Sequence, residues 1–277
     1  MMKRKHHHKP TISLLVPFRS NDPYRRRVFE WLKKYWAHEL PEAELVIGHN
    51  HSIPYSKTSA VNDAAARARS DIFVVLDADC YIPGSVIRDA VARIKRSARK
   101  GHRLWFIPYR RVYRLTEEAT ARVLASDPCN PLRFPTPPSD LDVESTEGSA
   151  FGHRFGALIQ ILPREAFEIV GGMDPRFCGW GGEDIAFVRA VDTLWGKHKT
   201  TNNDVLHLWH PKIGTGWATR EWEGQSRPRT NDNLAVRYNL ATGDRAKMRK
   251  LVDDGKKQRT HPIIEFIRRV MWWLRNR

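Results

Sequence analysis

The run Ile72-Phe73-Val74-Val75-Leu76, apolar at every position and cut off by Asp77-Ala78-Asp79, constrains the fold more than any other stretch. As a strand it has no polar face, so it predicts a strand covered on both sides, as in parallel sheets packed between helices. The flanking pattern agrees. Ile12 to Val16, Glu44 to Gly48 and Leu104 to Ile107 read as further strands. A helix is expected from Asp22-Pro23 onward, carrying Val28, Phe29, Leu32 and Trp36, and others around residues 57–69 and 83–99. This alternation predicts an α/β fold with a mixed, mainly parallel sheet flanked by helices. A chain of 277 residues is long enough for one large α/β domain or two small ones. Asp127 to Ser149, rich in Pro, Ser and Asp, is expected to be a long surface loop. Loops of that length are uncommon unless functional, which makes it a candidate functional element, and on the resemblance described below an acceptor-side one.

Three constellations carry chemistry. Asp77 and Asp79 sit where the buried strand ends, the edge at which open α/β sheets bind ligands. Two closely spaced hard oxygen ligands there suit Mg²⁺ or Mn²⁺ bridging to phosphates. Phe177-Cys178-Gly179-Trp180-Gly181-Gly182-Glu183-Asp184 places three glycines, a tryptophan and two carboxylates before a helix-like segment, the composition of a mobile active-site loop. The same residues also suit a plain helix start, where the macrodipole favours Glu183 and Asp184. Val205 to His210 is a mostly apolar run holding His207 and His210, either of which could complete a metal site begun at Asp79.

Together these residues resemble the GT-A glycosyltransferases, in particular the β-1,4-galactosyltransferases with the bacterial chondroitin polymerases and polypeptide N-acetylgalactosaminyltransferases. Val16-Pro17-Phe18-Arg19 looks like the strand end that holds uracil and ribose in that family. Lys57 to Asn62 stand in the place of its Arg/Asn-containing helix, with Lys57 where Arg is usual. Asp77-Ala78-Asp79 matches the Asp-x-Asp motif, and Gly171-Gly172 with Phe177 to Asp184 matches the Gly-Trp-Gly-Gly-Glu-Asp region. His207 falls at the metal-binding histidine, with His210 its rival, and the resemblance covers about residues 11–212.

The resemblance implies a Rossmann-like GT-A fold and metal-dependent transfer of a sugar from a UDP-sugar to an acceptor hydroxyl on a glycan or protein. Pro17, Phe18, Arg19, Lys57, Asn62, Asp77, Ala78, Asp79, Trp180, Gly181 and Gly182 would then contact the donor. Asp79 and His207, or His210, with Asp77 a further candidate, would bind Mn²⁺ or Mg²⁺. Asp184 is the implied base, Glu183 the group orienting the acceptor, and Trp180 the ring that closes over the donor and excludes water. Related Trp-Gly-Gly-Glu loops occur in inverting and retaining families, so the motif leaves the anomeric outcome open. Pro17-Phe18-Arg19 and Asp184 weigh towards inversion.

The net charge of +16 collects at the ends. Residues 1–9 carry four basic side chains, and residues 245–277 carry eleven basic and three acidic ones. The expected organisation is a basic arm over residues 1–10, a catalytic domain over 11–230 and a basic helical extension over 231–277. Within the extension, Ile263, Ile264, Ile267, Val270, Met271 and Leu274 recur at helical spacing. Docking on the protein's own surface, an anionic membrane surface and DNA are all open for that segment. The charge also motivates a second acceptor, a hydroxylated DNA base of the hydroxymethylcytosine type found in phage DNA. From another class comes a non-catalytic nucleic-acid or membrane adaptor on the same scaffold. Cys80, Cys129 and Cys178 are odd in number and suggest a reducing compartment. His6-His7-His8 reads as solvated residues in a basic arm, and the charged start is neither signal nor anchor. No apolar stretch reaches a bilayer-spanning length of about 20 residues, so a cytoplasmic enzyme of bacterial or viral type is expected, with peripheral membrane contact left open.

Overall fold

The computed structural model describes residues 11–52, 55–147, 157–179, 181–211 and 229–259. The basic arm, Trp180 and the segment Pro262 to Arg277 lie outside them. Strand β1 (Ile12–Pro17) is buried along its whole length, and helix α1 (Pro23–Glu39) follows. Asp22 caps that helix by accepting from the Arg25 backbone N–H at 2.8 Å, and Pro23 occupies a first-turn position where no hydrogen bond is lost. Strand β2 (Ala43–Gly48) and helix α2 (Lys57–Arg67) pack very closely. A side chain at Gly48 would sit 2.0 Å from the Ala60 carbonyl oxygen, and Ala60, Val61, Ala64 and Ala65 give the helix a thin buried face.

Strand β3 (Ile72–Leu76) is fully buried, as its sequence requires. It is followed by the short β4 (Cys80–Tyr81), α3 (Gly84–Ala98), β5 (Phe106–Ile107), β6 (Arg111–Leu115) and α4 (Glu117–Ala125). Of the strand expected over Leu104 to Ile107, only Phe106–Ile107 pairs. Strand β7 (Val143–Glu147), preceded by a single 3-10 turn at Asp140–Asp142, lies inside the stretch expected to be loop. It pairs antiparallel with β6 as an edge strand, and its residues Val-Glu-Ser-Thr-Glu are largely exposed, so no apolar alternation marks it. After it come β8 (Ile159–Pro163), α5 (Arg164–Ile169), α6 (Glu183–Leu194), β9 (Lys199–Thr200), β10 (Asp204–His207), α7 (Arg229–Leu240) and α8 (Arg245–Arg259).

The main sheet has the order β2-β1-β3-β8-β5-β9. It is mixed: β1 runs parallel to β2 and β3, and β5 parallel to β9, while β8 is antiparallel to both neighbours. A second sheet, β4-β10-β6-β7, stands beside it. Helices α7 and α8 pack on α6 and bury Leu234, Tyr238, Met248, Leu251 and Val252. The Tyr238 hydroxyl donates to Asp174 at 2.9 Å, and Asp174 is also forked by Arg176. The described part of the basic extension is therefore joined to the α6 side of the fold, and α7 begins at Arg229, just ahead of the expected boundary at residue 230.

Candidate active site

The site forms where β1, β3 and β10 end and where α2 and α6 begin. Pro17 is the last residue of β1, and Phe18 stacks on Phe29 of α1 with ring centroids 4.2 Å apart. The Arg19 guanidinium donates to the carbonyls of Asn50 and Ser52 at 3.3 and 3.0 Å and lies 4.9 Å from the centre of the Tyr55 ring. These contacts hold Phe18 against α1 and Arg19 against the segment that leads to α2.

Asp79 faces two imidazoles. His207 Nε2 is 3.5 Å and His210 Nε2 3.3 Å from its carboxylate, and one ligand atom from each of the three residues can lie within 4.8 Å of the others. Backbone pairing builds this cluster: β10 is registered on β4 so that His207 stands opposite Cys80, and Leu208 N–H donates to the Asp79 carbonyl at 2.8 Å. The two histidines are thus both at Asp79 and do not exclude one another. Asp77 is not part of this group of three. Burial pushes the Asp79 carboxyl up, but His207, His210 and Arg25 outweigh it and hold the group well below the usual carboxylate range. Burial holds His207 down at about 4 against the pull of Asp79. At neutral pH the carboxylate is ionised and the His207 imidazole neutral, the forms that bind metals.

Lys57 stands at the centre of the other half. Its Nζ is 2.6 Å from Asp77 and 3.1 Å from Asp184, with all three side chains largely buried. One ammonium therefore joins the end of β3 to the start of α6. Burial drives Asp184 up to about 8, opposed by Lys57 and reinforced by Glu183 and Asp77. Burial likewise drives Asp77 up to about 6, opposed by Lys57. Glu183 is buried, and one of its oxygens accepts from the Gly181 N–H at 3.0 Å. Ala78, between the two strand-end aspartates, is itself buried.

The glycine-rich segment is fixed at its foot, which differs from a loop free along its whole length. The Phe177 carbonyl accepts from the hydroxyls of Ser56 and Thr58, and Gly179 N–H donates to the Tyr55 carbonyl at 2.8 Å. The buried amide of Asn231 on α7 donates to the Cys178 carbonyl at 2.9 Å and accepts from its N–H at 3.4 Å. Beyond the foot, Gly181 and Gly182 have φ of 108° and 88°, the left-handed region that a side chain disfavours. A Cβ on Gly182 would also meet that of Ala235 at 2.9 Å.

Asn62 has a different position from the donor contact expected of it. Its amide is taken up by the Met173 backbone, donating to the carbonyl at 2.7 Å and accepting from the N–H at 3.0 Å. Trp180 lies outside the described residues. Sequence reasoning missed Arg25, which reaches Asp79 at 3.8 Å, and the anchors Ser56, Thr58 and Asn231. Ser56 could have been found, because Ser-Lys-Thr-Ser is a helix-start pattern, and Ser56 caps α2. Asn231 carries no local signal.

Two family models match the sequence: one described as glycosyl transferase family 2 over residues 43–145, and one described as the N-terminal domain of galactosyltransferase over residues 145–201. No curated protein sequence matches the chain. Among solved structures, the chain is similar to the catalytic domain of Drosophila β1,4-galactosyltransferase 7 in complex with xylobiose. Identity is 17%, coverage 72% of this chain and 71% of that one, and the TM-score 0.33. A mutant of that Drosophila enzyme in complex with manganese, UDP-Gal and xylobiose gives 17% identity, coverage of 73% and 71%, and a TM-score of 0.35. The two family matches meet at residue 145 and take in both Asp77-Ala78-Asp79 and Gly179 to Asp184, so the chain is similar to glycosyl transferase family 2 in its first part and to a galactosyltransferase domain in its second.

Proposed function

We propose that the chain moves a sugar from a UDP-sugar to a hydroxyl of a glycan or protein, with inversion at the anomeric carbon. The observation that carries this reading is that Asp79, His207 and His210 gather beside a Lys57-bridged pair, Asp77 and Asp184, at one end of the sheet. Asp79 and the two imidazoles fit a divalent cation, and two nitrogen donors suit Mn²⁺ better than Mg²⁺, which prefers an all-oxygen shell. A cation held there supplies charge stabilisation for the departing diphosphate. The remaining work falls to the side chains. Pro17, Phe18 and Arg19 hold the nucleoside, and Gly181 and Gly182 let the backbone close with Trp180 over the donor. Asp184 accepts the proton of the acceptor hydroxyl as that oxygen bonds to the anomeric carbon and the bond to UDP breaks. Glu183, one oxygen engaged by Gly181, orients the acceptor with the other.

A panel of UDP-sugars incubated with Mn²⁺ and with glycan, protein and hydroxymethylated DNA acceptors tests this by UDP release. Turnover requiring the metal and an acceptor is the expected result. No turnover of any nucleotide-sugar would overturn the reading. The net charge of +16 favours a second version in which the acceptor is a hydroxylated DNA base. In that case DNA alone is labelled, and binding falls steeply with salt as counterions are released from the phosphates.

A further inference from the structure

The far end of α3 carries a charge pattern that sugar transfer does not use. Residues 91–116 hold nine Lys and Arg and no Asp or Glu. Helix α3 turns Ile87, Ala90, Val91 and Ile94 to the core. From Ala92 to Arg103, every exposed residue other than Ala92, Ala98, Gly101 and His102 is Lys or Arg. Arg93 pairs with Asp89 at 3.7 Å, but Lys95, Arg96, Arg99 and Lys100 are in no ion pair among the described residues. The helix dipole favours cations only in the last turn, whereas this run begins ahead of that turn and continues past the last helical residue, Ala98. Strand β9 adds to the same face. Phe106 of β5 is registered with Lys199, so both side chains leave the sheet on one side, the side on which Arg93 lies 4.7 Å from the centre of the Phe106 ring. Lys197 and Lys199 are exposed and likewise outside any ion pair among the described residues.

This patch stands at the end of the sheet remote from the reaction centre. Strands β3 and β5 are both antiparallel to β8 and so run the same way. Asp77 and Asp79 follow the last residue of β3, whereas Arg99 to Arg103 precede the first residue of β5. A polyanion held here is not brought to Asp184, which sets the patch apart from a site for an acceptor such as hydroxylated DNA. The surface also lacks what nucleic-acid sites add to their cations: from Ala92 to Arg103 there is no Phe, Tyr or Trp to stack on a base and no Asn or Gln to read one. The exposed large apolar side chains among the described residues, Leu141, Val236 and Leu240, belong to other elements, so nothing in the patch is built to enter hydrocarbon. Cations spaced by alanine and glycine, without apolar anchors, fit adsorption to a plane of anionic headgroups, as clusters of about four to eight Lys and Arg do.

We propose that this face, from Arg93 to Arg103 with Lys197 and Lys199, is a membrane-docking surface that adsorbs to anionic phospholipid headgroups and leaves the end of the molecule with Asp79 and Asp184 clear of the bilayer. The test sediments the full chain, without donor or metal, with vesicles of phosphatidylcholine alone and of phosphatidylcholine mixed with phosphatidylserine. Binding should need the phosphatidylserine and fall with salt. One variant combines Lys95→Gln, Arg96→Gln, Arg99→Gln and Lys100→Gln, all at exposed positions. A matched variant combines Lys3→Gln, Arg4→Gln, Lys5→Gln and Lys9→Gln and so removes as much charge from the basic arm. The patch variant should lose about 10²–10³-fold in vesicle affinity, several-fold for each cation near the surface, and the arm variant clearly less. On the unmodified chain, Lys95, Lys100 and Lys199 should be acetylated more slowly on phosphatidylserine vesicles than in solution, which reads the docked face without any substitution. Titration with duplex DNA runs alongside. No binding to the phosphatidylserine vesicles, a loss in the patch variant no larger than in the arm variant, unprotected lysines, or tighter patch-dependent binding to duplex DNA would each overturn the proposal. Because neither donor nor acceptor is present, its failure is separate from any failure of sugar transfer, and UDP release by the patch variant in solution should match that of the unmodified chain.

Discussion

The cluster around Asp79 and the segment that ends in Asp184 are built in opposite ways. Asp79 and His207 are placed by backbone: a buried strand ends, a second strand is registered beside it, and Leu208 bonds back to the Asp79 carbonyl. Asp184 is placed by side chains from distant parts of the chain, Lys57 from α2 and the Ser56, Thr58 and Asn231 contacts that pin the preceding residues. A backbone-built half should resist single substitutions other than those of Asp79, His207 and His210 themselves. The half held by side chains should be loosened by changing one anchoring residue such as Asn231, and it carries the glycines whose conformation a side chain would oppose.

Substitutions separate the two halves. The largest effect is expected from Asp79→Ala, which should abolish measurable Mn²⁺ binding and weaken UDP binding with it, as read by titration calorimetry. Asp184→Asn should lower turnover about 10²–10⁴-fold, the usual worth of general-base assistance, while UDP and Mn²⁺ affinity stay near wild type. Lys57→Ala leaves Asp77 and Asp184 without their shared cation. Loss of one partner from a largely buried ion pair costs about 3–5 kcal/mol, read as a lower denaturation midpoint together with reduced activity. Asn231→Ala strips both backbone groups of Cys178 of their partner and should cost about 1–3 kcal/mol, with the loss in turnover exceeding that in Mn²⁺ binding. If Asn231→Ala weakened metal binding as much as turnover, the division into two halves would not stand.

The smallest effect is on pH dependence. With Asp184 driven up to about 8, the ionised base accumulates as pH rises through that value, so turnover should climb to about pH 8 and then level. Asp184→Asn should lack this limb. The same shift acts on stability with the opposite sign. A carboxyl whose folded pKa lies above the unfolded value of about 3.9 stabilises the fold below that value, and the contribution is lost as pH rises towards about 8.

Local chemistry explains what the sequence made legible. Strand β3 could be read because five apolar residues leave no solvent face, and the aspartates at its end because such strands open onto ligand sites. The start of α6 could be read from glycines followed by two acids. What escaped depends on partners far apart in the chain. Nothing near Lys57 indicates that it joins Asp77 to an aspartate 127 positions away. Nothing in Arg229 to Leu240 marks Asn231 as the clamp on Cys178. Strand β7 escaped because an exposed edge strand needs no apolar alternation, and Asn62 because its amide is used on backbone far along the chain.

The account rests most directly on whether Asp184 acts in the chemical step of a metal-dependent transfer. The measurement is UDP release from the preferred UDP-sugar and acceptor by the unmodified chain and by Asp184→Asn, with Mn²⁺ and after chelation, alongside UDP titration of both proteins. The account predicts release by the unmodified chain that chelation abolishes, and release about 10²–10⁴-fold slower in Asp184→Asn with matched UDP affinity. Full release by Asp184→Asn, or release from the unmodified chain that chelation leaves unchanged, would contradict it.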